Sequence, residues 1–414
     1  MLLFAVSAGF VTGYFQKPDF TNWMGFPKER IKSVRVVCLS DSRLSHRGRY
    51  NTKVKIKRVY DRNLGSAAAD FYALMISDKP FFMQSIVDAD VKVFESSFNS
   101  GLGYLSTDRS RFLGFSSVFY RLRGDVVRSI RAEIERWPFK ISALFMALFL
   151  GDRSYILDYM YDGFKRAGAL HVLALSGLHV GIISLLCLLF FSVFFPVYIA
   201  RPISALFLFL YVFIAGPYPS LLRASVFFAF TILFSYKGMR LINILGFTAV
   251  FMAVFFPSQM YSLGSLLSFS AVLGIVLFTW PLSIMIRPYV GSFISSVFAC
   301  SFSAFWATVP VVIIVFSALS LAGAVSAIFI VPVITFFMFF SVARLLLSFV
   351  VSWFSVVFDW VLSFLYFILE KLVYVFSLFP VIEGSFGYVF LALWPILTFV
   401  ILLWYYPFSW NLKR

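Results

Sequence analysis

The stretch PISALFLFLYVFIAGPYPSLLRASVFFAFTILFSY, residues 202–236, decides the fold class of this chain. It contains two apolar runs, 202–216 and 221–236, separated by a short proline-containing turn, and its one charged residue is Arg223. A helix needs about 20 predominantly apolar residues to cross the hydrocarbon core of a bilayer. The two runs are somewhat shorter than this, and with the turn between them they predict a pair of membrane helices.

The same apolar pattern continues on both sides of this pair. The composition agrees, because 61% of the residues are hydrophobic and 13% are charged, whereas soluble proteins carry about 25% charged residues. A soluble enzyme and a disordered tail are excluded, and a multi-pass helical membrane protein is predicted. The run 140–150 is too short to cross, and we expect it to dip into the membrane or pack at its surface. Further membrane helices are predicted at about 172–195, 241–256, 262–281, 292–316, 321–349, 352–379 and 388–406.

The first third of the chain is polar and basic. Residues 28–140 contain 22 Lys and Arg against 12 Asp and Glu, while residues 141–414 contain 12 against 6. Residues 1–15 are apolar, and we predict an N-terminal membrane anchor there, with a cleaved signal peptide as the alternative. A basic soluble module attracts polyanions such as nucleic acid or anionic lipid headgroups, although such charges also serve simply to solubilise a surface.

Residues 28–115 are predicted to form this module. The segment YNTKVKIKRVY, residues 50–60, alternates in period two, which places its lysines on one face of a strand. Several short strands of this kind favour a small OB-like β-barrel, and OB folds bind single-stranded DNA through basic grooves and stacking aromatic rings. The alternative is that these lysines only form a solvated surface and do not bind DNA. The candidate DNA-binding residues are Lys53, Lys55, Lys57 and Arg58.

Residues 117–138 are predicted to form an amphipathic helix at the membrane surface. Apolar side chains recur at helical spacing on one face, and arginines occupy the rest of the surface. We expect the apolar face to lie on the membrane with the arginines directed toward the headgroups. The apolar residues are Val118, Leu122, Val126, Ile130 and Ile134.

The densest polar stretch of the membrane half is GDRSYILDYMYDGFKRAGALHVLALSGLHVG, residues 151–181. Ionisable groups beside a bilayer usually face a cavity or pair with one another. His171 and His179 are eight residues apart, about 80° around an ideal helix. Three interpretations stay open for them: a metal site, which would need more ligands, buried hydrogen bonds between helices, and the lining of a polar pathway. A Ser/His hydrolase would lack a nucleophile elbow.

Part of this stretch, FKRAGALHVLALSGLHVGII (residues 164–183), resembles the signature of the ComEC-type competence proteins, the inner-membrane channels for DNA uptake in bacterial transformation. AGPYPSLLRAS (residues 215–225) and SLLSFSAVLGIVLF (residues 265–278) are also similar to that family. The resemblance covers roughly residues 1–350. The pore and motif residues that it implies are Lys165, Arg166, Gly168, His171, Ser176, Gly177, His179 and Arg223.

The resemblance implies that residues 140–414 form a polytopic competence domain that passes single-stranded DNA inward across the cytoplasmic membrane. It implies a transport protein rather than an enzyme, with no cofactor and no metal. Many family members end in a metallo-β-lactamase-like domain, whose zinc site needs several histidines. This sequence has only three histidines, so we expect the nuclease to be a separate protein. The expected partners are single-stranded DNA, the lipid bilayer, a separate ATP-driven motor, a DNA receptor and further copies of the chain.

Two other functional classes stay open. A secondary transporter of a small anion would use the His and Arg side chains for its substrate, and an inverted repeat would favour it. A membrane-embedded hydrolase or polymer-assembly enzyme would need a catalytic acid, and Asp359, Glu370 and Glu383 show no recognisable pattern. The basic N-terminal module favours DNA over both classes.

The short loops between the predicted helices indicate the orientation. Positive charges accumulate on the cytoplasmic side of membrane proteins, and here they occur in alternate loops. The C-terminus is therefore predicted to be cytoplasmic and the basic module to lie outside the cytoplasm. The residues that carry this pattern are Arg201, Lys237, Arg240, Arg287, Lys413 and Arg414.

Overall fold

The computed structural model divides the chain into two compact units. Unit 1 comprises Met1–Ile156 and Leu210–Tyr218, and unit 2 comprises Leu157–Phe209 and Pro219–Arg414. The predicted anchor at 1–15 and most of the predicted helix at 388–406 lie outside the described residues. The structure describes residues 31–45, 48–61, 65–94, 103–173, 175–216, 218–235, 240–260, 263–316, 318–320, 322–348, 355–383, 394 and 398.

Unit 1 begins with a six-stranded sheet. The strand order is β1-β5-β6-β4-β3-β2, and β1 pairs with β3 as well as with β5. The β4–β6 pairing is parallel and the others are antiparallel. The structure thus contains the predicted β-rich segment, while a closed OB-like barrel stays a prediction. The strands are β1 (Ile31–Cys38), β2 (Arg43–Leu44), β3 (Tyr50–Asp61), β4 (Gly65–Ser77), β5 (Ser85–Phe94) and β6 (Gly103–Phe115).

The core of the sheet follows from the period-two alternation of its strands. In β3, Val54 and Ile56 are fully buried, while Lys53 and Lys57 are exposed, as the alternation predicted. The neighbouring strands supply the rest of the core from their own alternating positions. The other fully buried members are Val34, Val36, Cys38, Met75, Val87 and Leu105.

Helix α1 (Val118–Ile134) confirms the predicted helix but not the predicted direction of its arginines. Arg123 is buried and forms a bidentate ion pair with Asp41, at 2.9 and 2.7 Å, and Arg131 pairs with buried Asp152 at 3.0 Å. A buried charge is tolerated when a partner of opposite charge satisfies it. These two arginines therefore face the interior of unit 1, and the expectation that they point to headgroups is wrong.

Helix α2 (Phe139–Phe149) is as short as its sequence predicted. Every residue from Ile141 to Leu150 is buried in unit 1. The ring of Phe145 stacks on Phe149 and on Trp137, which precedes the helix. An apolar helix that is buried on all sides packs against protein. This helix contributes to the core of unit 1.

The remaining helices confirm a multi-pass membrane protein. Among the described residues, five helices are long and apolar enough to cross a membrane: α5, α6, α10, α11 and α12. Helix α6 contributes its last six residues to unit 1 and the rest to unit 2. The helices after α2 are α3 (Asp158–Arg166), α4 (Leu170–Leu173), α5 (Gly177–Phe194), α6 (Val197–Ala215), α7 (Pro219–Ser235), α8 (Leu241–Phe255), α9 (Pro257–Met260), α10 (Leu263–Val290), α11 (Ser292–Phe316), α12 (Gly323–Ser348) and α13 (Ser355–Ser377).

Two predicted boundaries are wrong. The predicted helix 172–195 is broken, because α4 ends at Leu173 and α5 begins at Gly177. The predicted helix 262–281 continues to Val290 with Pro281 inside it. Neighbouring helices allow proline within membrane helices, so Pro281 does not end this one. Two short strands, β7 (Ala318–Ser320) and β8 (Val381–Glu383), pair with each other in unit 2.

Candidate functional site

The stretch of residues 164–183 folds as the end of α3, the short helix α4, a break and the start of α5. Lys165 and Arg166 are exposed in the last turn of α3, where positive charge complements the helix dipole. His171 on α4 is exposed, whereas His179 on α5 is completely buried. The two histidines thus occupy different environments. Among the described residues, no group of three or more His, Cys, Asp or Glu side chains could hold a metal ion.

Gly168, which follows α3, packs closely against Gly323 at the start of α12. Its φ of +70° is a conformation that favours glycine, and a Cβ there would lie 2.7 Å from the Gly323 Cα. Ser320 and Ser326 donate hydrogen bonds of 2.7 Å to the carbonyl groups of Arg166 and Ala167. The last carbonyl groups of a helix need donors from outside it. Gly168 therefore serves the close packing of two segments of unit 2.

Ser176 and His179 form a capping box at the start of α5. His179 Nδ1 accepts a hydrogen bond of 3.0 Å from the Ser176 backbone N–H, and the Ser176 hydroxyl caps the first turn. Because Nδ1 is the acceptor, the proton of a neutral ring lies on Nε2. This Nε2 is buried and has no hydrogen-bond partner in the described part of the chain. His179 thus fixes the helix break and directs an N–H donor into the bundle.

Arg223 lies on α7 and is almost fully buried. Its Nη1 donates to the Ser265 hydroxyl at 2.7 Å, and its Nη2 donates to the Gly264 carbonyl at 2.6 Å. The Ser265 hydroxyl in turn donates to the Gln259 carbonyl at 2.7 Å. Both of these partners of Arg223 are neutral, so they hold the guanidinium in place without cancelling its charge.

The structure brings the helix break and the helix of Arg223 together. Ser220 donates a hydrogen bond to the carbonyl of Leu175, and a Cβ on Gly177 would lie 3.6 Å from that of Ala224. The start of α5 therefore packs on the first turns of α7, on both sides of Arg223 in sequence. Helix α7 thus contacts the α5 start through Ser220 and Ala224, and it carries the buried cation Arg223, which is hydrogen-bonded to the start of α10.

The lysine face of β3 contains an aromatic partner that the sequence did not reveal. The ammonium group of Lys55 lies 5.3 Å from the centre of the Tyr72 ring, because Lys55 and Tyr72 are opposite each other in the β3–β4 register. Tyr72 is 44% exposed. Arg58 is exposed next to the same face. Tyr72 lies in β4 on the same face as Leu74 and Ile76, and the register that places it opposite Lys55 cannot be read from sequence alone.

An ion pair between α12 and α13 was also not predicted. Arg344 and Asp359 are 2.9 Å apart, and Arg344 is buried. Both residues stand in apolar sequence, where an ionisable group needs a partner or a cavity. Asp359 is therefore the ion-pair partner of a buried arginine.

Comparison with known proteins assigns the membrane part of the chain to a family. The sequence profile described as competence protein matches residues 148–413. Over 142 residues, 33% of this chain and 18% of the relative, the chain is 30% identical to ComE operon protein 3 of Bacillus subtilis (strain 168). Over 152 residues, 36% of this chain and 34% of the relative, it is 32% identical to an uncharacterized protein of Aquifex aeolicus (strain VF5). No solved structure matches the chain.

Each of these pairwise matches spans about a third or less of the relative's own length. The profile match, by contrast, covers well over half of this chain. It includes the capping box at Ser176, the close contact at Gly168 and the buried Arg223. This chain is a multi-pass membrane protein, and it belongs to the competence protein family.

Proposed function

We propose that this protein passes single-stranded DNA inward across the cytoplasmic membrane during natural transformation. Membership of the competence protein family supports a role in competence and DNA uptake. The observation that carries the finer proposal is Arg223, a buried cation on α7 whose neutral partners leave its charge available.

A DNA strand presents a fixed negative charge at every phosphate, so its passage through a bilayer needs a polar path with positive potential. The guanidinium group is always charged and is suited to gripping phosphate oxygens. The α5 start adds a second positive contribution from its dipole. The buried N–H of His179, two positions into the same helix, supplies a further donor for a phosphate or for water. These groups support a conduction role for unit 2.

The sheet of unit 1 supports the first contact with DNA. Lys53, Lys57 and Arg58 are exposed, and the ring of Tyr72 beside Lys55 offers a surface on which a base can stack. Binding of this kind needs no base-specific contacts, which suits a protein that takes up DNA of any sequence. The sheet is therefore proposed as the outer receptor face.

The proposed direction rests on the loops of the membrane domain. Lys and Arg in alternate loops favour a cytoplasmic C-terminus and an extracytoplasmic β-module in the inner membrane. The proposed partners are a separate ATP-driven motor, a nuclease that removes one strand and a DNA receptor, with assembly of several copies as a further proposal.

Deletion of the gene tests this proposal. In a transformable host, labelled donor DNA should then stay outside the cytoplasm, and transformation should fall to the detection limit. Expression of the intact chain should restore both. Plasmid delivered by electroporation serves as the control, because it bypasses uptake and should transform the deletion strain normally. Entry of labelled DNA into the deletion strain at the parental rate would contradict the proposal.

A further inference from the structure

The lysine face of β3 continues onto β2. Side chains alternate between the two faces of a strand, so Asn51 lies on the same face as Lys53 and the two lysines that follow it. Arg43 of β2 is directly opposite Asn51, and residues directly opposite each other place their side chains on one face of the sheet. Arg43 is exposed. It therefore adds a fourth positive charge at the end of the lysine face.

The guanidinium group of Arg43 rests on an aromatic ring in the turn between α6 and α7. Its Cζ atom lies 5.6 Å from the centre of the Tyr218 ring, and its Nη2 donates to the Tyr218 hydroxyl at 2.9 Å. The Tyr218 hydroxyl in turn donates to the Leu150 carbonyl at 3.4 Å. Tyr218 belongs to unit 1 and is the residue directly before α7. The lysine face thus ends at the turn that leads into the helix of Arg223.

The turn is fixed within unit 1 by helix α1. Arg123 Nε donates to the Phe213 carbonyl at 2.8 Å, while both Nη atoms of Arg123 bind Asp41. Gly216 has a φ of +111°, and a Cβ there would lie 3.5 Å from Cε2 of the Tyr218 ring. The ring under Arg43 is therefore held in place. A group that is oriented in advance loses less conformational freedom when a ligand binds.

Arg43 is also a cation without a carboxylate partner among the described residues. The carboxylates of Asp41 and Asp152 lie within electrostatic reach of Arg43, but each is bound to another arginine. Asp41 pairs with Arg123 at 2.7 Å. Asp152 pairs with Arg131 at 3.0 Å. The positive charge that remains lies on the exposed Arg43, and one of its five N–H donors has a partner in the described part of the chain.

We propose that Arg43 and Tyr218 form a nucleotide-binding site for single-stranded DNA at the end of the lysine face. The outward N–H groups of Arg43 bind a phosphate, and a base stacks on the guanidinium plane, which Tyr218 supports from below. Neither contact reads the identity of the base. A strand bound along β3 is thereby led to the turn before α7. This inference rests on the proposed function and names a contact that the lysines alone do not supply.

DNA fits this site better than a lipid headgroup does. A lipid phosphate could occupy the guanidinium, but a phosphatidylglycerol headgroup has no planar ring to stack on it. The row of lysines that ends at Arg43 presents positive charges at every second residue of β3, about 6.6–6.8 Å apart along the strand. A row of this kind matches a chain of phosphates and not a single anion.

Photocrosslinking of the full-length protein in nanodiscs tests the inference. The probe is a thymidine oligonucleotide in which 5-iodouracil replaces some thymines, because irradiation joins this base to aromatic side chains that touch it. Mass spectrometry locates the crosslinks, and affinity is measured at several salt concentrations. The variants are Arg43→Gln, Arg43→Lys and, as the matched control, Arg109→Gln. Arg109 is an exposed arginine of β6, a strand that pairs with neither β2 nor β3.

We predict a crosslink at Tyr218 in the parent and about fivefold or less of its yield retained as one part in five in Arg43→Gln, since one stacking contact is lost. Arg43→Gln should also flatten the dependence of log K on log salt by about one unit. Arg43→Lys should keep the parental slope and lose crosslink yield, because it retains the charge but not the plane. Arg109→Gln should crosslink at Tyr218 like the parent.

Two results would overturn the inference. One is a parent that binds DNA without a Tyr218 crosslink, or an Arg43→Gln variant whose Tyr218 crosslink is undiminished. The other is loss of the Tyr218 crosslink when phosphatidylglycerol is added to phosphatidylcholine discs while the crosslink at Tyr72 persists, which would assign Arg43 to a lipid phosphate.

Arg223→Leu separates this inference from the transport proposal. Crosslinking reports binding alone, so the leucine variant should crosslink at Tyr218 like the parent even where DNA entry is lost. Parental DNA entry in the gene-deletion strain would contradict transport and leave a Tyr218 crosslink as evidence for the site. Normal DNA entry through a parent protein that shows no Tyr218 crosslink would overturn the site and leave transport standing.

Discussion

Gly168 keeps α3 and α12 closer than any residue with a Cβ would allow. Replacement by alanine would place a methyl group 2.7 Å from the Gly323 Cα and would strain a φ of +70°. We expect Gly168→Ala to lower the free energy of unfolding by about 2–5 kcal/mol, from the left-handed backbone and from overpacking together. Denaturation in mixed micelles measures this change.

Gly181→Ala is the control for this substitution. Gly181 lies in the same stretch of sequence, on α5, and a Cβ there would meet nothing within 4 Å. Alanine also favours the helical conformation over glycine. The control should be as stable as the parent or slightly more stable. Equal stability of the Gly168→Ala and Gly181→Ala proteins would show that the contact with Gly323 is not tight.

His179 is expected to stabilise the start of α5 through its hydrogen bond to the Ser176 backbone. His179→Ala should lower the free energy of unfolding by about 1 kcal/mol, since it removes one half of a capping box. His179→Gln should recover most of that loss, because glutamine at this position also accepts a hydrogen bond from the cap residue. If both variants unfold like the parent, the capping interaction contributes nothing to stability.

At the scale of elements, most membrane helices could be predicted from sequence because each needs only a long apolar run. The break between α4 and α5 could not, since LHVLALS is apolar enough to continue a helix and the break depends on the Ser176 cap. The buried Arg123 was missed for a different reason. Its partner Asp41 is 82 residues earlier in the chain, and only the folded unit brings the two together. Tyr72 was missed in the same way.

The lysines on the exposed face of β3 either bind DNA or simply solvate the surface, and a triple substitution distinguishes the two roles. Replacing Lys53, Lys55 and Lys57 together by glutamine should weaken binding of single-stranded DNA by the full-length protein in nanodiscs. The dependence of log K on log salt should flatten by up to about three units, if each lysine contacts one phosphate. The measurement is a titration series at several salt concentrations.

A second triple substitution controls for net charge. Lys32, Lys79 and Lys92 are exposed lysines of the same module outside β3. Their replacement by glutamine removes the same charge and should change the slope less. An equal change of slope in both triples would mean that DNA responds to the overall charge of the module and not to the β3 face.

At the scale of the whole molecule, the alternation of positive loops predicts its orientation. A cysteine at Ser258 should react with an impermeant maleimide applied to intact spheroplasts, and a cysteine at Lys413 should react only after permeabilisation. Native Cys38 does not interfere, because its side chain is fully buried and burial raises the pKa of its thiol to about 12. Cys187 and Cys300 are replaced by alanine. The reverse labelling pattern would contradict the proposed direction of uptake.

Substitutions at Arg223 test whether this one side chain is needed for DNA transport by the whole protein. The hydrogen-bond partners described for it are the Ser265 hydroxyl and the Gly264 carbonyl, so Arg223→Leu leaves neither of them as an unpaired buried charge. We therefore expect the leucine variant to reach the membrane at the parental level. Arg223→Lys keeps the charge but loses the planar fork that grips phosphate. Ser265→Ala keeps the cation and removes one partner.

The rate at which labelled donor DNA enters the cytoplasm in these strains, normalised to membrane protein level, tests whether DNA passes along Arg223. We predict entry at the background of the deletion strain for Arg223→Leu, an intermediate rate for Arg223→Lys and a nearly parental rate for Ser265→Ala. Entry at the parental rate in the Arg223→Leu strain, with the protein present at its normal level, would contradict a DNA path along Arg223.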